Sequence, residues 1–146
     1  MELSDALDFT RTTRRSVMAT TRRDGRPQLS NVLHAVGPDG VIRVSTTAGR
    51  AKYQNLARDP WTALHVTQDD FWAYVVLEGV VELAPIIASV DDPGVDEHIE
   101  HYRLVVGERE DWGAFRASLV ADRRSMIRLV PPRAYGMAAL SAPDDD

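Results

Sequence analysis

Cysteine is absent from all 146 residues, which excludes disulfides, thiolate metal sites and a cysteine nucleophile. Lysine is almost absent: Lys52 is the only one, and arginine carries every other side-chain positive charge. No apolar run approaches membrane-span length, and Met1-Glu2-Leu3-Ser4-Asp5 lacks the basic start and apolar centre of a signal peptide. A cytoplasmic location without membrane contact is therefore expected. Patterns that announce chemistry are missing too. There is no G-x-S-x-G elbow, no G-x-G-x-x-G and no P-loop, so nucleophilic serine chemistry and the common nucleotide-binding motifs have no support. The net charge of −5 makes nucleic acid a poor partner.

What the chain contains is an ordinary globular balance, 44% apolar and 27% charged, in a length suited to one domain. Residues 1–140 are expected to form that domain, with 141–146 a disordered acidic tail. Ser4 or Asp5 can cap a first helix running to Thr12. Residues 16–21 read as a strand, Asp24-Gly25 as a hairpin turn and 28–36 as the returning strand. Pro38-Asp39-Gly40 turns the chain into a third strand at 41–45, and 62–66 makes a fourth. The longest strand is predicted over 71–83, with Trp72, Tyr74, Val76 and Glu78 on one face and Gly79 marking a bend or bulge. Residues 91–106 and 112–121 read as helices, and 125–130 and Tyr135-Gly136 as closing strands. Antiparallel strands joined mainly by hairpins, with helices inserted at two points, predict a mainly β protein, a small barrel decorated by helices.

Between the third and fourth strands lies the least expected stretch. Ala51, Gln54, Leu56, Ala57 and Arg58 favour a helix, Pro60 ends it, and Arg50 and Lys52 sit at its start. Positive charge there opposes the free N–H groups and the helix dipole. Two readings stand. Either the basic pair is solvated surface, or it awaits an anion, with the hydroxyls of Ser45 and Thr46 and the helix amides as further donors.

Other candidates are polar or aromatic. Gln28 and Ser30 share one face of the second strand and Asn31 takes the other. A strand edge in water accounts for the first two. Asn31 is disfavoured inside a strand, which points to a ligand-facing role. Trp72 and Tyr74 on a common face suit stacking on a flat ring, or a barrel core or dimer contact. His98 and His101 lie three apart and, with no third ligand at suitable spacing, read as a solvated helix face rather than a metal site. His34 and His65 read as barrel or interface residues. No convincing general acid stands out.

Taken together, Asp24-Gly25-Arg26-Pro27-Gln28-Leu29-Ser30-Asn31-Val32, then Arg50-Ala51-Lys52 with Asn55-Leu56 and Arg58-Asp59-Pro60, then Trp72-Ala73-Tyr74 leading to Glu78-Gly79 resemble the split β-barrel flavin and deazaflavin reductases. That superfamily includes the pyridoxamine 5'-phosphate oxidase-like proteins, and the likeness is greatest to its actinobacterial branch that uses coenzyme F420. Asp111-Trp112, Asp122-Arg123-Arg124 and Tyr135-Gly136 extend the likeness to Met137. The resemblance implies a split barrel of the FMN-binding type and a homodimer with two cofactor sites at the subunit interface. It implies an oxidoreductase that passes a hydride from reduced F420 to a small electrophilic substrate. An FMN-dependent oxidoreductase on the same fold, or a non-catalytic cofactor-binding protein, is the alternative. The resemblance also implies site roles: Arg50, Lys52 and Asn55, with Ser45 and the Ala51 amide, hold the cofactor's phosphate and acidic tail. Gln28, Ser30 and Asn31 line its ring edge, and Trp72 and Tyr74 reach the site from the partner subunit. Tyr74 is a candidate proton donor if it faces the substrate, with solvent as the alternative.

Overall fold

A computed structural model describes residues 1–137; the expected tail at 141–146 and the domain end at 140 lie outside the described residues. The elements are α1 (Leu3–Arg11), β1 (Arg15–Thr21), β2 (Pro27–Leu33), β3 (Ala35–Val36), β4 (Ile42–Thr47), α2 (Ala51–Arg58), β5 (Trp61–Thr67), β6 (Tyr74–Leu83), α3 (Val95–Val105), α4 (Trp112–Ala121), β7 (Arg124–Leu129) and β8 (Arg133–Met137). All strand pairs are antiparallel, in the order β2-β1-β5-β6-β7-β4-β3, with β8 added on β6. Alternation drives closure: Met18, Val44, Leu64, Val75, Leu77 and Ile127 point inward into one apolar core. The structure is a mainly β split barrel, as the sequence predicts. No helix among the described residues is long and apolar enough to cross a membrane.

The split has a local cause. The single strand expected over 28–36 is two strands, because the chain changes partners at His34: β2 pairs with β1, and β3 pairs with β4. The His34 ring is fully buried. Its Nε2 donates to the Thr10 carbonyl at 2.9 Å, so Nδ1 accepts from the Ser16 hydroxyl at 2.7 Å. This pins the crossover to α1 and β1. The gap left beside β2 is filled by α2, which packs against β1, β2 and β4. β6 crosses the same divide, pairing with β5 through Val80 and with β7 from Val81. Gly79, where a bend was expected, lies at that change of partner, and a Cβ there would come within 2.7 Å of Pro132 Cδ.

Three element boundaries differ from expectation. Helix α1 begins at Leu3 with Glu2 as N-cap and no side-chain cap bond, so neither Ser4 nor Asp5 caps it. Helix α3 begins at Val95, not near Asp91, because the Asp92 carboxylate accepts from the Gly94 N–H at 2.8 Å and holds a turn around Pro93. The strand predicted from Phe71 begins at Tyr74. Before it, Gln68 N–H donates to the Ala73 carbonyl, Phe71 N–H to the Gln68 carbonyl and Trp72 N–H to the Asp70 carboxylate. These bonds close a turn that holds Phe71 at φ +72° and leaves it 80% exposed. Trp72 therefore does not share a strand face with Tyr74.

A cationic cleft as candidate cofactor site

Helix α2 is fastened by its far end, which leaves its start facing the gap. Leu56 is buried. Asn55 is buried too, its Nδ2 donating to Thr20 Oγ1 at 3.1 Å and its Oδ1 accepting from Arg58 Nη2 at 3.2 Å. Gln54 donates to the Ala48 carbonyl at 2.7 Å. At the other end Arg50 is the N-cap and makes no side-chain cap bond. Lys52 is half-buried on the first turn, and Arg124, opposite Thr47 on β7, donates from Nη1 to Ser45 Oγ at 3.4 Å. None of Arg50, Lys52 and Arg124 forms an ion pair among the described residues. Burial, then repulsion from Arg50 and Arg124, pushes the Lys52 pKa down. An oxyanion at this corner removes that penalty, so the donor set fits a phosphate.

The corner opens into a cleft of about 420 Å³. Asn31, Val32 and Leu33 on the edge strand β2 form one side, and Ser45, Lys52 and Arg124 close one end. The opposite wall is the α3–α4 pair, which packs on its own small core of Ile87, Val95, Ile99, Phe115 and Leu119. His98 and His101 belong to this wall and are only 3% and 6% exposed. The expected solvated face is therefore an inward one, beside the buried stripe of Val95 and Ile99. His98 Nδ1 lies 3.5 Å from Ser45 Oγ. The same oxygen accepts from Arg124, so Ser45 links the arginine to the imidazole. Burial lowers both histidine pKa values to about 4, helped for His101 by the neighbouring His98, so both rings are neutral near pH 7. His101 Nδ1 is buried without a partner among the described residues. No group of three or more His, Asp or Glu among the described residues could hold a metal ion.

Asn31, Ser45 and Lys52 thus line one cleft, with Arg50 and Ala51 exposed at the adjoining helix start. Trp72 and Tyr74 lie elsewhere, around an opening of about 370 Å³ with His65 and Thr67, and Tyr74 stacks on His65 at 5.4 Å between centroids. A third opening of about 410 Å³ shares Asn31, Val32 and Leu33 with the cleft, and His65 and Thr67 with the aromatic end. The three make one belt across β2, β1 and β5. Gln28 and Ser30 face the barrel interior instead. Gln28 Oε1 accepts from the Thr20 hydroxyl at 3.3 Å, and the Ser30 hydroxyl is buried without a partner among the described residues. Asn55 is buried and bonded to Thr20 and Arg58. The residues missed from sequence are the α3–α4 wall and Arg124. Their signal was the spacing Val95, His98, Ile99, Tyr102, which puts the histidines beside an apolar stripe.

A barrel opened beside one strand, with cations unpaired among the described residues at the start of the helix that fills the opening, is a split barrel. The chain belongs to the pyridoxamine 5'-phosphate oxidase family, whose model matches residues 4–137, and with it to a superfamily of flavin-type oxidoreductases. Among solved structures it is similar to a conserved hypothetical protein of Mycobacterium tuberculosis, at 25% identity and TM-score 0.72, over 94% of this chain and 84% of that one. It is also similar to an F420 reductase at 26% identity and TM-score 0.63, over 83% and 88% of the two chains. A pyridoxamine 5'-phosphate oxidase-related, FMN binding protein of Nostoc punctiforme shares the fold at 17% identity and TM-score 0.60, over 92% and 81%.

Proposed function

We propose that this protein is a coenzyme F420-dependent reductase that delivers a hydride to a small electrophilic acceptor. One observation carries the reading: three cations converge near the start of α2 and none of them forms an ion pair among the described residues, although Asp122 lines the same cleft. A cofactor with a phosphate and an acidic tail supplies the missing charge. FMN also carries a phosphate, and the preference for F420 rests on the likeness to the F420 reductase. When bound, the cofactor supplies the hydride chemistry, and the chain binds, orients and excludes water. Arg50, Lys52, Ser45 and the Ala51 amide would hold the phosphate end, and Asn31 would meet the ring edge. Gln28, Ser30 and Asn55 would act from behind, by fixing β2 and α2. Tyr74 or solvent would supply the proton that follows the hydride.

The reading includes a homodimer. The outward face of β2, β1, β5, β6 and β8 exposes Leu29, Leu33, Tyr135 and Met137, with Phe71 and Trp72 beside it. Apolar area of that kind suits a second copy, which would present its Trp72 and Tyr74 to this cleft. Sedimentation of the purified protein tests this, and a monomer at micromolar concentration would remove it. The cofactor is tested by titrating the protein with F420 and with FMN, followed by a screen of electrophilic acceptors with the reduced cofactor. Saturable F420 binding with hydride transfer is expected. Tight FMN binding without F420 affinity would put the FMN-dependent reading in its place, and binding without transfer to any acceptor would favour a cofactor carrier.

A further inference from the structure

At the far end of the cleft from Lys52, a second cation has no counter-ion. Arg109 lies in the connection between α3 and α4, half-buried and lining the cleft. Its guanidinium carbon sits 5.4 Å from the ring centroids of both Tyr102 and Phe115. Those rings pack on each other at 4.9 Å and against Trp112 at 5.8 and 5.5 Å, so the platform beneath the arginine is rigid. Glu108, the nearest acidic residue before it in sequence, is taken by Arg103 at 2.8 Å. Among the described residues Arg109 pairs with no carboxylate. A stacked guanidinium keeps its N–H donors for a planar oxyanion in its own plane.

The separation of the two positive poles limits what can satisfy both. Phe115 marks the Arg109 end of α4, and Asp122, its C-cap, marks the Lys52 and Arg124 end. Seven residues at a rise of 1.5 Å put those two backbone positions about 10 Å apart along α4. Asp122, the one carboxylate lining this cleft among the described residues, stands at the Lys52 pole and so does not serve Arg109. The rest of the lining is mixed, with Leu33, Val105 and Leu119 beside Asn31, Ser118 and the two neutral imidazoles.

We infer that Arg109 is a specificity residue that binds a carboxylate on the electron acceptor, selecting acceptors that carry it on a flat, apolar body. The word acceptor rests on the reductase reading; carboxylate recognition at Arg109 does not. A second source of the same chemistry is the cofactor's own acidic tail, and the test separates the two. Calorimetry is run on the full-length protein, free and saturated with F420, using trans-cinnamate as the probe and cinnamamide as its uncharged twin. Both forms of the wild type are expected to bind the acid at least tenfold more tightly than the amide. R109Q is expected to abolish that preference while its F420 affinity stays within twofold. Equal binding of acid and amide by the wild type would overturn the assignment, and so would a preference that survives in R109Q. A tenfold loss of F420 affinity in R109Q would overturn it in favour of the cofactor tail. If R109Q does not fold, the acid-to-amide ratio of the F420-saturated wild type decides. If neither F420 nor FMN binds, the reductase reading fails, and the cinnamate arm on the free protein still decides the fate of Arg109.

Discussion

Two groups of cations on the same β4–β7 ladder are treated in opposite ways. At one end Arg43 and Arg128 face each other across the ladder. Glu97 of α3 receives Arg43 Nε at 2.8 Å and Arg128 Nη2 at 2.7 Å, while Asp39 and Glu82 take further donors of the two arginines. Toward the other end of the ladder stand Ser45, Thr47 and Arg124, with Lys52 nearby, and among the described residues neither cation forms an ion pair. The titration shifts follow the same division. Burial alone would raise the Glu97 pKa, but hydrogen bonds from Arg128 and Arg43 outweigh it and hold the carboxyl below its usual range. For Lys52, burial and the neighbouring cations push the same way, and nothing opposes them. A half-buried charge with partners belongs to the fold. One without partners is what the proposed cofactor site would use.

The contrast is easiest to break from its saturated side. Glu97→Gln removes the negative charge that Arg43 and Arg128 share and leaves them one amide oxygen there, with Asp39 and Glu82 still in place, and should cost about 1.5 kcal/mol of stability. Its F420 affinity, measured per folded molecule, should change little; urea unfolding and a cofactor titration on the same sample give both numbers. The double change Arg50→Ala with Lys52→Ala should do the reverse. Cofactor affinity should fall at least tenfold, since charge-assisted bonds contribute roughly 1.5–3 kcal/mol each, and the unfolding midpoint should hold or rise because mutual repulsion is removed. Unchanged affinity in the double variant would leave the three cations without a function.

The division explains what could be read from the chain. Asp24-Gly25, Pro38-Asp39-Gly40 and the helix stopped by Pro60 are local signals, and each lies where it was expected. The oddity of two cations at a helix start was local too, so the cationic corner was legible. Its opposite was not: the Arg43–Glu97 pair spans 54 residues, and no spacing rule announces compensation at that range. The same limit hid the α3–α4 wall. His98 and His101 looked polar and were assigned to water, yet burying them costs only their charge, because a neutral imidazole fits beside Val95 and Ile99. Phe71 and Trp72 failed for another reason. Alternating aromatics imitate a strand, while the Asp70 carboxylate bond to Trp72 N–H that makes the turn leaves no periodic mark.

Acid should sharpen the comparison further. His98 and His101 titrate at about 4 in the fold and near 6.5 in an unfolded chain. As pH falls through that window the unfolded chain takes up protons that the fold refuses, so stability drops by up to about 1.4 kcal/mol per pH unit for each ring, then levels off. Glu97 acts lower: its folded pKa is depressed, so its contribution is intact above the usual carboxylate range and is lost as pH falls through the depressed value. Urea midpoints between pH 7.5 and 4.5 should therefore fall first through the histidines, and His98→Gln should flatten that part of the curve. A curve flat down to pH 5 would mean the rings are not buried as described.

The smallest effect is the most direct. With a single lysine in the chain, reductive methylation with ¹³C labels one side chain besides the N-terminus, so its NMR titration belongs to Lys52 without assignment. In the free protein its midpoint should lie below a lysine's usual value, because burial and the two arginines disfavour the charge. Saturation with F420 should move the midpoint upward, since an anion at the corner favours the protonated amine. Inorganic phosphate should produce part of the same shift if the corner recognises the phosphate itself, and none if only the acidic tail is gripped. A midpoint that stays put under saturating cofactor would mean that the ligand binds away from α2. The low value would then record repulsion that the barrel tolerates for no ligand at all.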